Sequence, residues 1–261
     1  MSSSNAISLV YLYPDLLSLH GDRGNIWAFG KAAENIGINL SVSRIDSVER
    51  TGDLSGFDIV LMSPGELSTA QYLAGALKEH KAAFEEHLAK AKPMVVIGTT
   101  IAAFASECTR LDGSKFSGLG FVDASLTELS VCYSNDSVLA CELFGEQMEV
   151  VGGQIQIVRV SLGKGETPLG INEYGYGNDK GMHEGILKGS FVFTNLLGPV
   201  FVKNPWFAEA ILLYAARQKG IAVEGRKAEY ELERMSNDEI KRFIDIKVAK
   251  HDHSRLDHGK N

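Results

Sequence analysis

The sequence predicts an α/β protein with a mostly parallel central sheet covered by helices. Three observations carry that prediction. Short apolar runs alternate with helix-length segments through the N-terminal part, the order that builds parallel sheets. The runs end in Gly-, Pro- and Asp-containing loops, such as Ser63-Pro64-Gly65 and Gly98-Thr99-Thr100. The chain has 261 residues, 44% of them hydrophobic, enough for one large domain with an appendage.

The elements follow in order. Ala6 to Leu12 is an apolar first strand. A polar loop runs from Tyr13 to Asn25, and Asp22 or Asn25 is placed to cap a helix ending near Ile36, where Gly37 stops it. Ile38 to Ile45 reads as strand two and Phe57 to Met62 as strand three. Leu67 to Lys90 reads as one long helix with a charged face. Met94 to Ile97 is a buried fourth strand, followed by the Gly98-Thr99-Thr100 turn and a small-residue helix to Ala105.

The pattern changes after Gly118. Leu129–Tyr133, Val138–Phe144, Met148–Val151 and Ile155–Ser161 read as short strands. Gly185–Leu187 and Phe191–Phe193 read as two more, after the glycine-rich run Tyr174–Asn178. Pro205 suits the first turn of a helix reaching Gln218. These features place one domain at 1–218 and a helical extension at 219–261. In the extension, Ser236–Glu239 resembles a helix start, with an apolar stripe from Ile240, Phe243, Ile244, Ile246 and Val248. The polar end, His251 to Asn261, is expected to fray. His251, Asp252, His253, Asp257 and His258 are metal-ligand types, but composition favours a solvated tail.

Composition removes several functions. A net charge of −7 and a pI near 5.5 argue against a nucleic-acid footprint. Three cysteines, Cys108, Cys132 and Cys141, without CxxC spacing, fit a reducing compartment and no zinc site. No apolar run is long enough to span a bilayer, and the N-terminus lacks a basic leader, so a cytoplasmic protein is expected.

Ligands in α/β sheets gather at the carboxyl ends of strands, here Ser63–Gly65 and Gly98–Thr100. The second is a strand-turn-helix elbow, where nucleophilic enzymes hold Ser or Cys, yet it carries neither. The amides of such loops suit an oxyanion hole; the residues alone favour ordinary tight turns.

Further motifs carry a resemblance. Leu12–Ile26 (LYPDLLSLHGDRGNI), Gly118–Asp123, Tyr174–Asn178 (YGYGN) and Leu196–Pro205 (LLGPVFVKNP) resemble the GatD family, in order and spacing, over roughly residues 6 to 216. These are glutamine amidotransferase subunits of lipid II isoglutaminyl synthase, in the class I glutaminase group related to cobyric acid synthase. The resemblance implies a class I glutamine amidotransferase-like sandwich. It also implies glutamine hydrolysis by an elbow Cys and a late His, with ammonia passing to a Mur-ligase-like (MurT-type) partner. That partner uses ATP to amidate the D-glutamate of lipid II.

The chain departs from this pattern at each catalytic position. Gly98 falls on the Cys position and Thr99-Thr100 on the following glycines. Leu197, immediately before Gly198-Pro199, falls on the His position. The family's Gly-rich loop with Gln-Asp becomes Ser63-Pro64-Gly65-Glu66-Leu67. No Lys or Arg lies between Lys115 and Arg159, the segment expected to hold the cation that grips free glutamine. Thr99 or Thr100 would need an adjacent base, for which His183 is the nearest candidate.

The expectation is therefore a degenerate glutaminase-type subunit with no catalytic residues, no cofactor and no metal. It would bind a MurT-type ligase and, as a further partner, glutamine or a related small ligand. The binding residues expected are Gly65, Gly98, Thr99 and Thr100, with Asp22, Arg23 and Asn25 from a loop that either shapes a turn or frames the pocket. The alternatives are an active ammonia-supplying subunit with relocated groups, and a small-ligand sensor without a ligase.

Overall fold

A computed structural model describes residues 6–223 and 225–258, with side chains through 249. The first sheet contains β1 (Ala6–Leu12), β2 (Asn39–Ile45), β3 (Ile59–Met62), β4 (Met94–Ile97), β11 (Ile186–Lys188) and β12 (Phe191–Thr194). Their spatial order is β11-β12-β4-β3-β1-β2. Every pairing is parallel except β11 with β12. Strands β3, β4 and β12 are buried along their whole length, as strands covered on both faces must be.

The period of two divides each strand between two cores. Ile7, Leu9 and Tyr11 of β1 face α1 (Gly24–Asn35) and α5 (Pro205–Gln218), where Phe29, Phe201 and Phe207 pack. Val10 and Leu12 face the opposite core, with Leu73 and Leu77. There α2 (Leu67–Ala76) and α3 (Lys81–Ala89) cover the sheet. The single long helix expected over Leu67–Lys90 is thus two, separated by a 3-10 turn at Leu77–His80. The short α4 (Val200–Lys203) precedes α5.

The second sheet departs most from expectation. The four short strands expected between Leu129 and Ser161 are two long ones, β7 (Ala124–Leu143) and β8 (Glu146–Leu162). They form one antiparallel hairpin with an irregularity between Glu128 and Tyr133. Beside β7 lie β5 (Glu107–Thr109), β6 (Lys115–Phe116), β9 (Gly170–Tyr174) and β10 (His183–Glu184), in the order β10-β9-β7-β5-β6. Cys108 therefore belongs to a strand of this sheet and not to a helix after the elbow. Cys132 is exposed, whereas Cys108 and Cys141 are buried.

The extension begins its helix α6 at Glu231, before Ser236, and the backbone remains helical through His258. The side chains of His251, Asp252, His253, Asp257 and His258 lie outside the described residues, as does the chain end expected to fray, 259–261. Only part of the expected stripe is packed: Ile244 and Ile240 meet Val138, Val151 and Tyr174, while Phe243, Ile246 and Val248 are exposed. Polar contacts complete the docking. Buried Glu209 of α5 accepts from Asn35 Nδ2 at 2.8 Å, Arg226 Nε at 2.5 Å and Tyr230 OH at 2.5 Å. Among the described residues no helix is long and apolar enough to cross a membrane.

Asn204 is where hairpin, α4 and α6 meet. Its Oδ1 accepts from Val151 N at 2.9 Å and Asn237 Nδ2 at 2.9 Å; its Nδ2 donates to Val151 O at 2.8 Å and Val200 O at 2.8 Å. Removing this side chain strands several buried backbone groups at once. Asn204→Ala is expected to lower unfolding free energy by about 2–4 kcal/mol in chemical denaturation, outside the range of ordinary surface substitutions.

Candidate functional site

The elbow follows from its residues. Strand β4 ends at Ile97, and Gly98 turns the chain with φ +62°, the left-handed region that side chains rarely adopt. The expected small-residue helix is a 3-10 run, Gly98–Ala103, ending at Phe104. A Cβ on Gly98 would lie 2.9 Å from Pro64 Cβ and 3.4 Å from Leu197 Cδ2. The two positions expected to correspond to nucleophile and base are thus brought face to face. Both carry groups without acid–base or nucleophilic chemistry.

The threonines of the elbow are tied down. Thr99 Oγ1 donates to Gly65 O, and Thr100 Oγ1 donates to Ser63 O at 2.8 Å. Both hydroxyls stitch the elbow to the loop after β3, and neither donates to a base. His183 does not serve them: it is exposed in β10, in the second sheet, and does not line the cleft. Gly65 is needed for a close approach, since a Cβ there would lie 2.6 Å from Leu17 Cδ2.

Above the elbow lies a cavity of about 370 Å³ lined by Gly65, Gly98, Thr99 and Leu197. Thr100 is buried beneath it. Several of its walls carry no motif in the sequence: Leu19 and His20 from the loop before α1, Ile155 and Ile157 from β8, and the pair Arg110–Glu128. His20 carries φ +59°, an uncommon backbone state that marks the loop as shaped by tertiary contacts. Burial lowers its pKa. The cation beside the cavity is Arg110, which lies just upstream of the Lys115–Arg159 segment where one was sought. Its Nε donates to Glu128 Oε2 at 2.7 Å, and that guanidinium holds the Glu128 carboxyl below its usual range.

The loop Gly21–Asn25 supports the site from behind. None of Asp22, Arg23 and Asn25 lines the cavity. Asn25 Oδ1 accepts from Phe201 N at 3.0 Å, and Gly24 lies against Pro199, where a Cβ would come within 2.9 Å of Pro199 Cγ. Asp22 is fully buried, and its carboxylate oxygens have no well-aligned hydrogen-bond partner. Burial pushes its pKa up to about 7, with the Gly198 amide pulling the other way. Arg23 points to solvent and pairs with Asp15 at 3.2 Å.

The glycine-rich run Tyr174–Asn178 fixes the segment that presents Leu197. Asn178 Oδ1 accepts from Gly185 N at 2.9 Å and Asn195 Nδ2 at 3.0 Å. Gln154 Oε1 accepts from Tyr176 N at 2.8 Å and Gly177 N at 3.2 Å. Leu197 N donates to Gly153 O at 2.8 Å. Glu184, fully buried, accepts from Asn195 N at 2.6 Å, and burial pushes its pKa up to about 7. Burial raises the Cys108 and Cys141 thiols to about 11 and about 12, which leaves them unreactive. Among the described residues no group of three or more His, Cys, Asp or Glu is placed to hold a metal.

No family profile matches the chain. The structure of PurLQS from Thermotoga maritima superposes with a TM-score of 0.52 at 14% identity, covering 82% of this chain and 97% of that one. A glutamine amidotransferase of the same organism gives 0.47 at 14% identity, covering 82% and 94%. The fold is that of the PurLQS chain it superposes on: a mostly parallel sheet covered by helices, with an elbow at its carboxyl edge. In sequence the chain is GatD-like. It is 23% identical over 219 residues, 82% of each chain, to the lipid II isoglutaminyl synthase (glutamine-hydrolyzing) subunit GatD of Streptococcus pneumoniae R6.

The two buried carboxyls set a pH dependence. An acid whose pKa is raised from near 4 to about 7 on folding favours the folded state at low pH. That contribution is lost as pH rises through about 7. Denaturation midpoints are expected to fall between about pH 5 and about pH 8, and Asp22→Asn is expected to reduce the difference.

Proposed function

We propose that the protein is a GatD-like glutamine amidotransferase-type subunit that has kept its scaffold and partnership and lost glutaminase chemistry. Its partner would be a Mur-ligase-like, MurT-type protein that amidates the D-glutamate of lipid II in the cytoplasm. The observation that carries the loss of chemistry is the facing pair Gly98 and Leu197, where a Cβ added at Gly98 would lie 3.4 Å from Leu197 Cδ2. A thiolate and an imidazole are the groups this geometry would need. Thr99 and Thr100 do not replace them, because each hydroxyl donates to a backbone carbonyl. The partnership rests on the similarity to GatD across most of the chain. In this reading residues 1–218 form the amidotransferase-like domain and 219–261 an appended extension.

The test has two arms. The purified protein is expected to release no ammonia from glutamine above a buffer control. Co-expressed with the Mur-ligase-like protein of its own genome, it is expected to co-purify with it in a fixed ratio. Ammonia release that disappears on Thr99→Ala or His20→Ala would overturn the loss of chemistry. Absence of any complex would overturn the partnership.

A further inference from the structure

Helix α6 presents two faces. On one, Asn237 bonds Asn204 at 2.9 Å, and Ile240 and Ile244 pack on Val138, Val151 and Tyr174. Lys241 and Lys247 add ion pairs to Glu149 at 2.7 Å and Asp136 at 3.2 Å. The helix period places Leu232, Met235, Phe243 and Ile246 on the other face, turned away from the domain. They are 75%, 66%, 53% and 41% exposed. Docking on the domain does not use these side chains. A row of large apolar groups along one solvent face is the mark of a further interface.

Spacing and charge identify the partner. Leu232, Met235, Glu239, Arg242, Ile246 and Ala249 follow one another in alternate steps of three and four residues, the seam of a two-helix coiled coil. The seam is symmetric about the midpoint between Glu239 and Arg242. A second copy of α6 running antiparallel therefore sets Leu232 against Ala249, Met235 against Ile246 and Glu239 against Arg242. Each contact is made twice about a two-fold axis. A parallel pair would instead set Glu239 against Glu239 and Arg242 against Arg242. Within one copy Glu239 Oε2 accepts from Arg242 Nη2 at 2.7 Å, and these side chains are 68% and 69% exposed. So exposed a pair is worth little, and its two charges are available to the other copy. A polar layer at the centre of a seam fixes register and orientation at a cost in stability. Asp238 and Asp245, which flank the seam with like charge, add to that cost.

We infer that two copies of the chain associate through α6 as an antiparallel helix pair, in a weak, concentration-dependent dimer. The seam runs from Leu232 to Ala249, about 26 Å at the rise of an α-helix. Because the seam faces away from the domain, the two domains lie on the outer sides of the pair. No described residue of α6 lines the cavity over the elbow, so the dimer is independent of the preceding reading.

Sedimentation velocity of the full-length protein between about 1 and about 200 µM tests it. Monomer is expected to give way to dimer within that range. Glu239→Arg and Arg242→Glu each set like charges against one another across the seam, and each is expected to weaken the dimer at least about tenfold. The double variant Glu239→Arg, Arg242→Glu is expected to restore it. An equimolar mixture of the two single variants is expected to form a mixed dimer. Met235→Glu, which sets a charge against Ile246, is expected to leave only monomer, and serves if a charge reversal unfolds α6 by circular dichroism. Monomer at every concentration, a dimer that the reversals leave unchanged, or a double variant no tighter than the single ones would overturn the inference. So would a monomer that loses the Mur-ligase-like protein on Met235→Glu, which would place the ligase on this face. Ammonia release tests the preceding reading separately, and none of these variants is expected to change it.

Discussion

The left-handed turn at Gly98 is the constraint around which the carboxyl edge of the sheet is arranged. With φ at +62°, it lets the chain leave β4 and fold back at once into the 3-10 run that packs on α2. Thr99 and Thr100 then bind the carbonyls of Gly65 and Ser63, so the turn also fixes the loop after β3. Elbows that present a nucleophile hold a side chain in this strained state. Glycine adopts it without the steric penalty. In the proposed reading, glycine at this position removes the nucleophile and relieves the strain together.

The opposite wall is held by different means. Leu197 sits on a segment pinned by Asn178, Asn195, Glu184 and Gly153, nearly all of them buried. Such a network is costly to leave partly satisfied. Its completeness explains how the segment keeps its place with no reactive histidine to orient. The loop Gly21–Asn25 acts in the same way from behind, through the contacts of Asn25 with Phe201 and Gly24 with Pro199. In the proposed reading, what remains of a glutaminase site is its support.

Much of the first sheet was legible in the chain. β1 and β4 fall where their apolar runs stand, because central parallel strands are apolar throughout and their loops carry Gly and Pro. The β7–β8 hairpin was not, since long half-exposed strands with polar stretches and a bulge look like several short ones. At the site, Gly98 and Leu197 were legible through a motif, and the structure places them together. Arg110 and Glu128 were not: they come from separate strand regions and meet only through sheet pairing. His20 was not legible either, because only the folded path of its loop brings it to the cavity.

The central claim is that this GatD-like scaffold carries no reactive group at its elbow. Mass spectrometry after incubation with an electrophilic glutamine analogue, such as a diazo ketone, tests it most directly. The protein is expected to show no covalent adduct, whereas the Gly98→Cys, Leu197→His double variant acquires one on the introduced thiol. An adduct on the unsubstituted protein, mapped to Thr99, His20 or any other residue of the cavity, would contradict the account.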